Sequence, residues 1–65
     1  MSDFKSRLLE EKAQLDERMG KLSSFQASEG FANIPTVQQT LLNVQIHAMA
    51  TYSQVLLERI ALMAE

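Results

Sequence analysis

The side chains that could do chemistry in this chain are six cations, one histidine and four aromatic rings. With no cysteine and a single histidine, the chain lacks the ligand clusters of a structural zinc site. A catalytic histidine needs a nucleophile or an acid held against it, but His47 lies on the polar side of a predicted helix. The sequence also contains no glycine-rich phosphate loop. We therefore expect no enzyme activity, no catalytic residue, no cofactor and no metal site.

The cations indicate anion binding instead. Lys and Arg side chains form charge-assisted hydrogen bonds with phosphate or carboxylate, and an aromatic ring such as that of Tyr52 or Phe4 can stack on a base. The candidate ligand-binding residues are Lys5, Arg7, Lys12, Arg18, Lys21, Tyr52 and Arg59. The alternative is that these cations are only ion-pair partners on a solvated helix face, because three of them stand four residues from an acid. Those pairs are Asp3 with Arg7, Lys12 with Asp16, and Glu17 with Lys21.

The size of the chain limits how such residues can be positioned. Sixty-five residues make at most one small domain with a marginal core, and without a disulfide or a metal the usual support is helix packing and oligomerisation. A net charge of −2 argues against binding to DNA or to an anionic membrane. The first residues lack the apolar stretch that a signal peptide needs, and no run of apolar residues is long enough to span a membrane. The expected compartment is the cytoplasm.

Helical spacing predicts two long helices in a single domain over residues 1–65. We expect a helix from about 3 to 27, a turn over about 29–35 and a helix from about 36 to 63. Ser2 or Asp3 would cap the first helix, Gly30 would stop a helix, and Thr36 with Gln39 would form a capping box. The predicted fold is all-α: a two-helix antiparallel hairpin that assembles into an oligomeric helical bundle.

Apolar residues on the second helix form two stripes, about a third of a turn apart, whereas the first helix carries one narrow stripe. One partner helix can cover only one of the two, and an exposed apolar patch is unusual on a monomer. We therefore predict that the chain associates with itself through the other stripe. The residues predicted for the oligomer interface are Leu42, Gln45, Ile46, Met49, Leu56, Ile60 and Met63. Gln45 would set the register of this interface by reciprocal hydrogen bonds.

A pattern of core and turn residues resembles the small helical-hairpin accessory proteins of tailed phages. It comprises Lys21-Leu22-Ser23-Ser24-Phe25, Ser28-Glu29-Gly30-Phe31, Gln39, Leu41-Leu42, Gln45, Ala48-Met49, Tyr52, Val55-Leu56 and Arg59-Ile60. Some short oligomeric proteins of this kind are sponges that sequester cyclic oligonucleotide immune signals, the anti-CBASS type among them. The resemblance implies an oligomer that acts in the host cytoplasm, without catalysis, on such a signal.

Two functions remain open at this point. In the first, clefts between copies of the chain capture a cyclic oligonucleotide or a similar small anion, because symmetric interfaces can collect basic groups from several chains. In the second, the helical surface is a protein–protein interaction module that inhibits or scaffolds a host or phage protein.

Overall fold

The computed structural model describes residues 3–63, which form helices and turns. Helix α1 covers Asp3–Gln26, α2 covers Glu29–Asn33 and α3 covers Thr36–Ala61. The two long helices match the predicted ones to within two residues at each end. The predicted turn differs, because it contains the short helix α2. Ser2, one of the two predicted caps of the first helix, lies outside the described residues.

The segment between the long helices is organised by local hydrogen bonds rather than by a glycine stop. The Ser28 hydroxyl donates to the Phe25 carbonyl oxygen at 2.6 Å, which closes the turn after α1. Gly30 lies inside α2 and has no positive φ, so it is not the left-handed glycine that often ends a helix. The Phe25 and Phe31 rings pack edge to face across the turn, with centroids 6.1 Å apart.

Helix α3 starts directly after Pro35, whose φ of −56° suits the residue before a helix. The predicted capping box is wrong, because Pro35 occupies the cap position without a side-chain cap bond. The Gln39 amide instead donates to the carbonyl oxygens of Phe31 at 3.0 Å and Ile34 at 3.2 Å. This side chain therefore ties the end of α2 to the first turns of α3.

Helices α1 and α3 run antiparallel along most of their length. Contacts link Arg59 to Phe4 near one end and Asn43 to Gln26 near the other. The core between them is small: Leu8 and Leu15 of α1 are 3% and 4% exposed, and Leu56 of α3 is 0% exposed. Partly buried side chains around this core are Met19, Met49, Ile60 and Met63.

The molecule is elongated for its length. Its Cα extents are 48 × 15 × 13 Å and its radius of gyration is 14.9 Å, whereas a compact domain of this length has a radius of about 11 Å. Its accessible surface is 4908 Å², against about 4,200 Å² for a compact monomer of this mass. A single chain therefore leaves more surface exposed to water than a compact domain of its size.

Candidate association and ligand surface

One apolar stripe faces solvent along the whole of α3 and ends at Leu62, the residue directly after the helix. Val37, Leu41 and Val44 are 63%, 56% and 59% exposed, and Val55 and Leu62 are 49% and 86% exposed. Ala48 and Tyr52 continue the same line by helical spacing, and Tyr52 is 44% exposed. We call this set the outer stripe: Val37, Leu41, Val44, Ala48, Tyr52, Val55 and Leu62.

The stripe that the sequence assigned to the oligomer interface lies in a different place. Leu56 is fully buried against α1, with Met49, Ile60 and Met63 packed around it. Of the other three residues predicted for the interface, Leu42 and Ile46 are half-buried and Gln45 is exposed. Within one chain, the predicted interface stripe therefore supplies the α1–α3 contact, and the outer stripe remains open. Apolar spacing alone could not make this choice, since both stripes are equally regular.

A polar cluster stands in the middle of the α1–α3 contact. Ser53 is 8% exposed, and its hydroxyl donates to Asp16 Oδ1 at 2.6 Å and accepts from Lys12 Nζ at 3.0 Å. Lys12 Nζ is also 2.7 Å from Asp16 Oδ2, as the four-residue spacing predicts. All three side chains are therefore hydrogen-bonded to one another. The hydrogen bond from Lys12, followed by the one from Ser53, lowers the pKa of Asp16.

This cluster predicts how far substitution of each hydrogen-bond partner raises the pKa of Asp16. Since its pKa is lowered in the folded state, the interaction stabilises the fold above the ordinary aspartate pKa and is lost as pH falls through the folded value. Carboxyl NMR titration should give Asp16 a pKa below 3.8. Lys12→Gln should raise this pKa more than Ser53→Ala does, because Lys12 is the larger cause. The exposed Ser24→Ala variant should leave it unchanged. A native value at 3.8 or above would contradict the cluster.

The predicted ligand-binding cations fall into different environments. Lys12 is half-buried and engaged with Asp16 and Ser53, which removes it from an open site. Lys21 Nζ lies 3.6 Å from Glu17 on an exposed face, so a second predicted ion pair is confirmed. Lys5 is half-buried, whereas Arg7, Arg18 and Arg59 are exposed. Among residues 3–63 the third predicted pair, Asp3 with Arg7, does not form an ion pair.

The exposed arginines share one side of the helix pair. Arg59 lies over the Phe4 ring, with Cζ 5.8 Å from its centroid. Counting about 100° per residue from this contact and from the Ser53–Asp16 bond places Arg7 and Arg18 on the side where Arg59 lies. Lys5 and Lys12 fall on the opposite side by the same count. Tyr52 belongs to the outer stripe and Arg59 lies beside it by the same count, so the structure brings together part of the predicted ligand set and separates the rest.

Residues 3–63 contain no cavity sized for a small molecule. In the same part of the chain no three His, Cys, Asp or Glu side chains converge in a way that could hold a metal ion. None of the helices over these residues combines the length and the apolar character needed to cross a membrane.

Comparison with known proteins places the chain in a family. The model of the Sequestin family matches residues 2–62. The chain belongs to the Sequestin family. No curated protein and no solved structure matches it. The family match of this Sequestin chain spans all three helices, including the outer stripe and the exposed arginines beside it.

Proposed function

We propose that this Sequestin-family chain is a non-enzymatic protein that associates with itself and sequesters a small anionic ligand between its copies. The main support for this proposal is that an aromatic ring, Tyr52, and a cation, Arg59, lie along the exposed outer stripe of α3. Association through that stripe brings these side chains from neighbouring chains together. The site is then shared between copies.

The area of the outer stripe supports a second copy as its occupant. Aromatic side chains such as Tyr52 offer about 150–250 Å² each, and the Val and Leu members of the stripe are somewhat smaller. With exposed fractions of 44–86%, the six largest members leave roughly 600 Å² of apolar surface on one chain. Two such surfaces would bury roughly 1,200 Å² in total, which is enough for a specific interface. The stripe also runs the length of α3, so two elongated chains can align side by side.

The ligand chemistry follows from what borders the stripe. Arg7, Arg18 and Arg59 are exposed and lie on one side of the helix pair by helical spacing. Guanidinium groups form paired hydrogen bonds with phosphate oxygens, and the Tyr52 ring offers a stacking surface for a base. A ligand that carries both a phosphate group and a base is a nucleotide. The best candidate is a cyclic oligonucleotide immune signal, which makes the protein an anti-defence sponge of phage type acting in the host cytoplasm.

The family name is compatible with sequestration of a ligand. The resemblance to small helical-hairpin phage proteins, some of which are sponges of the anti-CBASS type, favours a cyclic oligonucleotide as the ligand. The alternative proposal is a protein–protein interaction module, in which the outer stripe docks on a host or phage protein. Stoichiometric recovery of one such protein with the chain would favour that alternative, provided that Val44→Asp abolishes the recovery.

Calorimetry against a panel of cyclic di- and trinucleotides tests the ligand. We expect binding, and we expect Arg59→Gln to weaken it about tenfold or more, because a hydrogen bond to a charged group contributes about 1.5–3 kcal/mol. Tyr52→Leu should also weaken binding while it preserves the apolar stripe. The matched control is Lys5→Gln, since helical spacing places Lys5 on the opposite side of the helix pair from the exposed arginines. No heat with any member of the panel would refute the nucleotide proposal.

A further inference from the structure

Ser53 interrupts an otherwise apolar seam between the long helices. Residues of α3 that face α1 repeat at alternating four- and three-residue steps, as in a coiled coil. They are Leu42, Ile46, Met49, Ser53, Leu56 and Ile60, and Met63, just after the end of α3, continues the series. Ser53 is the one polar member, it is 8% exposed, and its neighbour in the seam, Leu56, is fully buried. A buried hydroxyl at this point needs partners.

The partners come from α1 on one side of the seam. Asp16 Oδ1 accepts the Ser53 hydroxyl at 2.6 Å, and Lys12 Nζ donates to the same oxygen of Ser53 at 3.0 Å. Asp16 and Lys12 are bonded to each other at 2.7 Å. The three groups satisfy one another only when Ser53 faces this side of α1. The cluster thus distinguishes one rotation of α3 from another, whereas the apolar side chains do not.

The competing arrangement has α3 turned by about a third of a turn, so that the outer stripe packs on α1. It would leave the Ser53 hydroxyl in water and put apolar side chains beside Asp16 and Lys12. It would also bring Arg59, which lies among the outer-stripe residues, from its exposed place over Phe4 into the helix contact. A charged group buried there without a partner is strongly disfavoured. Ser53 and Arg59 therefore both favour the observed rotation of α3 over the alternative one.

We propose that Ser53, held by Asp16 and Lys12, is a positioning residue that sets the rotation of α3 and so determines which apolar stripe faces other copies. A single buried polar group in a helical seam is the best-attested device for specifying one packing arrangement. This inference rests on the proposed function, because the exposed stripe is the surface through which copies associate. Gln45, predicted from the sequence to set register, is exposed in the chain, and Ser53 takes that role within it.

Methyl nuclear Overhauser spectroscopy on labelled chains diluted into excess unlabelled chains tests the rotation, because every contact then arises within one chain. In the native protein we expect contacts between the Leu56 methyls and the Leu8 and Leu15 methyls. In Ser53→Ala we expect an added set of contacts that link those α1 leucines to Val55. Their intensity should be on the order of a tenth of that of the native contacts. Ser24→Ala, the same change at an exposed site, should show only the native set.

A second variant keeps the test decisive if Ser53→Ala does not fold. Asp16→Ala removes the acceptor at a position whose side chain is 46% exposed, and it should produce the same added set. A single native set in a folded Ser53→Ala, or in Asp16→Ala where the serine variant is unfolded, would overturn the proposal. The result is independent of self-association: a monomeric native chain would refute the association, while the intrachain contacts would still report the rotation.

Discussion

Val44→Asp is expected to abolish self-association of the chain. Val44 is 59% exposed in the middle part of the outer stripe, so the new carboxylate does not disturb the α1–α3 core. In an assembly of copies the carboxylate would lose water without gaining a partner, which is costly for a charged group. We expect the dissociation constant to rise roughly 100-fold or more. Native mass spectrometry across a range of concentrations measures this directly.

The matched control is Ala50→Asp, which places the same side chain on an exposed position of the same helix. By helical spacing Ala50 lies well away from the outer stripe, so this variant should keep the native mass. Circular dichroism of both variants should show that the helices persist. Equal masses for native and Val44→Asp chains would show that the outer stripe is not the contact between copies.

Leu56→Ala is expected to cause the largest loss of stability among alanine substitutions at residues 3–63. Leu56 is 0% exposed and packs with Leu8 and Leu15, which are the other buried apolar residues in the part of the chain described. Truncating a buried leucine costs about 2–5 kcal/mol, because the transfer energy is lost and a cavity remains. Denaturant unfolding at fixed chain concentration gives the change in the free energy of unfolding.

Leu57→Ala provides the control for this effect. Leu57 is the next residue along α3, and it is 47% exposed. The same truncation there should change the free energy of unfolding by less than about 1 kcal/mol. A loss at Leu57 as large as the loss at Leu56 would contradict the observed rotation of α3.

The long helices could be predicted because their signals are local. Apolar residues at three- and four-residue steps and charge pairs four apart, such as Lys12 with Asp16, place α1 and α3 without knowledge of the fold. The short helix α2 could not be predicted in this way. It contains Gly30 and only five residues, and it is tied to α3 by the Gln39 amide, which donates to Phe31 from eight residues away. Helices this short depend on such tertiary contacts.

The existence of an uncovered apolar stripe could be predicted from the sequence, but its identity could not. The sequence shows that α3 has two apolar stripes and that one of them must remain uncovered by α1. It did not indicate which stripe packs on α1 within one chain, because periodicity weighs apolar residues and ignores the single polar residue within a stripe. Ser53 in one stripe and Arg59 in the other were the available signal, but their meaning depends on Asp16 and Lys12 of the opposite helix. The sequence also could not show which cations lie on the same side of the helix pair, since this depends on the rotation of both helices.

The most direct test of the account is the native mass of the unmodified chain by light scattering at several concentrations. A 7.3 kDa chain that associates through its outer stripe should elute as a folded species whose mass is two or more whole multiples of that value. The mass should fall towards 7.3 kDa only on strong dilution or in Val44→Asp. A folded, stable monomer at every concentration would contradict self-association and the shared ligand site with it.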